Sequence, residues 1–95
     1  MANALGTATL DFGAAPGSNE AQVSVADTSV GAGSYVESWI SGNDSTADHT
    51  AADHRYLAAW IGVTAEAVAG VGLTIYGRSE HKIEGLVAVR YVWSD

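Results

Sequence analysis

Cysteine is missing from this chain of 95 residues, so neither a disulfide nor a thiolate metal site stabilises it. Basic residues are scarce: Lys plus Arg is 4 against 11 Asp plus Glu, a formal charge of −7. So acidic a surface repels phosphate backbones and anionic headgroups, which argues against nucleic acid and against a membrane surface as partners. No apolar run reaches the ~18 to 20 residues that crossing a bilayer takes, so no membrane insertion is expected. Met1 to Gly6 has neither a basic stretch nor a long apolar core, and it does not read as a secretory leader. Synthesis in a host cytoplasm is the expectation. Strong helix formers on polar faces are few, and lysine occurs once.

What the chain does have is glycine, alanine, valine, threonine and serine. Eleven glycines punctuate it at a spacing that suits short strands between turns. Alternation predicts strands over Thr7–Phe12, Ala21–Ala26 and Tyr35–Ser41, then over Arg55–Val63, Leu73–Ser79 and Gly85–Trp93. Pro16-Gly17 reads as a type II turn between the first two. Gly42 to His54 reads as an ordered polar loop with one helical turn near Thr50–His54. Ala65–Val68 reads as a brief turn, and Glu80–Glu84 as a charged connection. An alternative makes Ala47–Ile61 a helix, from the partly helical spacing of Ala51, Ala52, Leu57, Ala58 and Ile61. The expected fold is all-β: one domain over residues 1–95, a small antiparallel β-sandwich of about six strands.

The last strand is the most informative segment. Val87, Val89, Tyr91 and Trp93 line one side and Leu86, Ala88 and Val92 the other, with Arg90 as the only charge. A strand with one wet face alternates apolar and polar residues. This one does not, so something must cover both sides. A chain this short supplies one core, and small domains often rely on association. The expected second cover is another copy, in a homo-oligomer and most simply a homotrimer. Its interface is assigned to Val87, Val89, Tyr91 and Trp93, joined by Trp39 and Trp60, because large aromatics anchor cores and interfaces.

Chemistry has one candidate cluster, Asp48-His49 and Asp53-His54. Imidazole and carboxylate can ligate a transition metal, or the loop can serve recognition. The spacing matches no standard metal motif, and loop Asp and His residues commonly hold turns, so the structural reading is favoured and no cofactor is implied. No serine lies in a nucleophile elbow and Gly70-Val-Gly72 is no phosphate loop, so no enzyme is expected.

Four stretches carry a resemblance: Asp11–Glu20, Asp48–His54, Gly72–Tyr76 and Val89–Trp93. Together they resemble the landmarks of small virion structural proteins of tailed bacteriophages, over nearly the whole chain. A looser likeness is to H-type lectin domains, six-stranded sandwiches that trimerise and bind sugars. Leu73 stands where that family carries an aromatic, and no sugar-binding residue is carried over. The resemblance implies a non-enzymatic virion component, in a tail fibre or tail tip that contributes to host attachment. Its partners would be other copies, other virion proteins and a host-surface glycan. A capsid decoration protein that stabilises the head and a lectin-like carbohydrate-binding module are the alternatives.

Overall fold

Alternation along the chain becomes two faces in space. In the computed structural model, which describes residues 3–95, the order is β1 (Asn3–Asp11), β2 (Ser18–Ala26), β3 (Tyr35–Trp39), α1 (Ala51–Trp60), β4 (Ile61–Val68), β5 (Gly72–Ile83) and β6 (Leu86–Ser94). The strands form two three-stranded antiparallel sheets, ordered β1–β6–β3 and β2–β5–β4. They pack as a sandwich, the all-β architecture expected from the strand pattern. Met1 and Ala2 lie outside the described residues; the rest of the segment read for a leader, Asn3 to Gly6, belongs to β1. No helix among the described residues is long and apolar enough to cross a membrane.

The core lies between the sheets. Leu10 pairs with Val87, Ala8 with Val89, and Trp93 sits between Ala4 and Val36, all on the inner side of the first sheet. Opposite stand the rows Val23–Ile75–Ala65 and Val25–Leu73–Ala67. Leu10, Ile75, Val87 and Val89 are fully buried, and each such side chain contributes roughly 1.5 to 3 kcal/mol. Gly77 faces this core. A Cβ there would stand 2.6 Å from Leu10 Cδ1 and 3.2 Å from Phe12 Cζ, so its bare backbone is what lets the sheets close over Leu10.

Four local expectations are corrected. Arg55–Val63 is not a strand: Ala51–Trp60 is α1, and only from Ile61 does the chain extend. The alternative helical reading was nearer. Thr50 caps the helix through a capping box with Asp53, and helical spacing turns His54 and Leu57 inward. Ala65–Val68 continues β4 to the hairpin with β5 instead of turning. Glu80, His81 and Lys82 extend β5 to Ile83, with their side chains exposed; the connection is only Glu84-Gly85. The Ala15–Pro16 bond is cis, and Gly17 N–H donates to Ala14 O, so Pro16 takes the third turn position instead of the second that type II needs.

Candidate functional site

β3 is shorter than its neighbour. It pairs with β6 only from Trp39↔Arg90 to Tyr35↔Ser94, which leaves the Leu86–Val89 edge of β6 without a strand. Unpaired backbone groups at such an edge are costly when water is shut out. The polar segment between β3 and α1 supplies what the strand does not. Thr46 Oγ1 donates to Leu86 O at 2.6 Å, and Leu86 N–H donates to Asp48 Oδ2 at 2.8 Å. Ala88 N–H donates to His54 Nε2 at 3.0 Å. One helical turn and one loop therefore replace a strand, side chain by side chain.

His54 is the centre of this arrangement. Its residue is fully buried, and its Nδ1 lies 2.8 Å from Thr50 O. Nε2 must accept from Ala88, so the proton sits on Nδ1 and the ring is neutral. His49 does the opposite job: its Nε2 donates to Glu84 O at 2.7 Å, while Nδ1 stands 4.0 Å from Asp53 Oδ2. Asp48 also packs on Gly85, whose φ of +78° and whose place against the Asp48 carboxyl leave no room for a side chain.

Asp44 adds the one strong ion pair among the described residues. Its two oxygens accept from Arg90 Nε and Nη2, both at 2.8 Å. The bidentate guanidinium holds the Asp44 carboxyl below its usual value and raises that of Arg90. The pair's contribution is thus present above the ordinary carboxyl range and is lost as pH falls through the lowered value. The segment is anchored at neutral pH.

Asp48, His49, Asp53 and His54 are therefore brought together, but each one holds backbone. Among the described residues no group of three or more His, Cys, Asp or Glu side chains stands where it could hold a metal ion. No buried side-chain nitrogen or oxygen lacks a partner among them either.

The assigned interface residues separate. Val87 and Val89 are 0% exposed and Trp93 is 2% exposed, all within the single chain. The indole Nε1 of Trp93 donates to Asp27 Oδ2 at 3.0 Å, so even its polar edge is satisfied internally. Tyr91 lies half-buried on the same side, its ring over Gly6. The cover for Val87, Val89 and Trp93 is the β2–β5–β4 sheet, so these three offer no surface to a partner, whereas Tyr91 keeps part of its ring accessible. This corrects the assignment of those three to an interface: the chain's own second sheet reaches them first.

Trp39 and Trp60 do face water. On the outer side of the β1–β6–β3 sheet, Leu5 pairs with Val92 and Tyr35 and Trp39 lie along β3. Leu5 is 78% exposed, Tyr35 75% and Trp39 41%. The alternation Tyr35-Glu37-Trp39 already marks that side in the sequence; Leu5 escapes notice because its strand begins earlier than the pattern suggests. Trp60 lies elsewhere, at the end of α1 beside His81 of β5. The chain matches no protein-family model, no curated protein and no solved structure.

Proposed function

We propose that this chain is a non-enzymatic structural part of a tailed-phage virion, and that it works by binding further copies of itself through the outer face of the β1–β6–β3 sheet. The observation that carries the reading is the cluster Leu5, Tyr35, Trp39 and Val92 on that face. Single exposed apolar side chains are ordinary. Three on one sheet face beside half-buried Val92, in a chain otherwise rich in carboxylates, mark a contact surface.

The four stretches that resemble small phage virion proteins support the setting. The looser likeness to H-type lectin domains makes a closed homotrimer the expected state, and cyclic closure keeps the face from building open filaments. A tail fibre or tail tip is the position proposed. Function there is assembly: apolar area leaves water on association, at roughly 25 cal/mol per Å² before association costs.

Light scattering coupled to size exclusion tests this. The wild type should elute at three times 9.8 kDa, and a Leu5→Asp, Trp39→Ala double variant should elute as one folded copy. A wild type that stays at one copy at its highest soluble concentration overturns the proposal.

A further inference from the structure

Trp60 belongs neither to the core nor to the outer β1–β6–β3 face. It ends α1 at 55% exposure, and its ring centroid lies 5.1 Å from that of His81, tilted by 46°. Two hollows meet at this indole. One runs along α1 beside Tyr56 and Asp53. The other is an open groove of ≈ 900 Å³ that crosses the outer face of the β2–β5–β4 sheet. Gly62 leaves its floor clear, since only the Arg78 carbonyl comes near where a Cβ would be.

The polar groups around the groove still have capacity to bond. Among the described residues, Glu80 and His81 make no side-chain hydrogen bond. Arg78 Nη1 is 3.6 Å from Glu20 Oε1, a loose pair with both side chains largely in water. An aromatic platform beside a carboxylate and a guanidinium suits one ligand chemistry in particular. A pyranose has an apolar C–H face that covers an indole. Its adjacent hydroxyls both donate and accept, which a carboxylate and a guanidinium can satisfy at about 3 Å. Sites of this kind combine aromatic lining with a few placed polar groups. An apolar peptide would strip water from Glu80 and Arg78 and return no hydrogen bond. An anionic sugar would meet a chain of charge −7.

We infer that this groove binds a neutral pyranose, stacked on Trp60 with its hydroxyls turned to Glu80 and the Arg78–Glu20 pair. The site lies on the opposite sheet from the self-association face and needs no second copy. It therefore goes beyond the assembly reading and stands or falls separately.

Fluorotryptophan-labelled protein gives three fluorine NMR signals, one for each of Trp39, Trp60 and Trp93, assigned by single Trp→Phe variants. Methyl glycosides of glucose, galactose, mannose and N-acetylglucosamine are titrated in turn. The expected result is that at least one moves the Trp60 signal saturably, with a Kd on the order of 1 mM, and leaves Trp93 unmoved. Saturation transfer from protein to that sugar should vanish in Trp60→Ala and fall at least tenfold in Glu80→Gln, with the Trp93 signal reporting an intact core. If no glycoside moves Trp60, if transfer survives Trp60→Ala, or if only Trp39 responds, the inference is wrong. Light scattering on the same samples separates the two ideas: a lone copy that binds sugar removes only the assembly reading.

Discussion

Val89→Asp is expected to leave no folded protein, whereas Val92→Asp keeps the fold. The two positions are three residues apart on β6 and face opposite sides, because side chains alternate along a strand. Val89 is fully buried beside Ala8, with no cation within the core cluster. A carboxylate there is a charge without a partner, and such a charge costs about 3 to 5 kcal/mol or more. That is comparable to the whole stability of a small domain, about 5 to 15 kcal/mol and lower for short chains. Val92 is only half-buried and pairs with exposed Leu5, so aspartate there reaches water. Far-UV circular dichroism and a thermal melt distinguish the outcomes. Val92→Asp should melt within a few degrees of the wild type and run as a single copy. A cooperative, near-wild-type melt for Val89→Asp contradicts the placement of β6.

The second large effect is expected at His54. In His54→Ala the buried Ala88 N–H loses its acceptor, Thr50 O loses the ring N–H, and a cavity opens behind α1. Unsatisfied backbone and lost volume together cost about 3 to 4 kcal/mol. For a domain of this size that lowers Tm by on the order of 15 to 20 °C. His54→Leu separates the two causes. It restores most of the volume but not the acceptor, so it should recover only part of the loss. Urea unfolding at neutral pH, where Asp44 keeps its hold on Arg90, gives the comparison. If His54→Leu matches the wild type, the imidazole is packing and not an edge substitute.

Much of the sandwich is legible in the sequence, and the reason is the period of two. β1 and β2 show it plainly, and their inner rows, Ala4, Ala8 and Leu10 and then Ala21, Val23 and Val25, are the apolar members of each alternation. Where the reading fails, local pattern competes with a nonlocal need. Ala51–Trp60 mixes alanines with aromatic and charged residues and alternates weakly over its second half. The Thr50–Asp53 capping box decides for helix, and His54 and Leu57 are buried only because the helix packs on the sandwich. Glu80-His81-Lys82 looks like a loop because charge suggests solvent. It is a strand end whose side chains all remain in water.

The fate of β6 is the clearer lesson. Apolar residues on both its faces are visible at once, and so is the need for two covers. Which face the chain covers itself depends on how the second sheet docks, and no local pattern encodes that. The face of Val87, Val89 and Trp93 goes to the chain's own sheet. The weaker face, with Ala88, Arg90 and Val92, is left to the outside together with Leu5, Tyr35 and Trp39. The Asp-His pairs are legible as a cluster but not as edge substitutes, because nothing in the sequence says that β3 stops at Trp39.

This chain covers the inner side of β6, and the proposed assembly requires another copy to cover its outer side. Fluorine NMR of fluorotryptophan-labelled protein with a soluble paramagnetic agent reads both sides at once. Across a dilution series, the Trp93 signal should stay protected at every concentration, and Trp39 should be broadened when dilute and sheltered when concentrated. A Trp93 signal that loses its shelter on dilution, or a Trp39 signal equally broadened throughout, contradicts this arrangement.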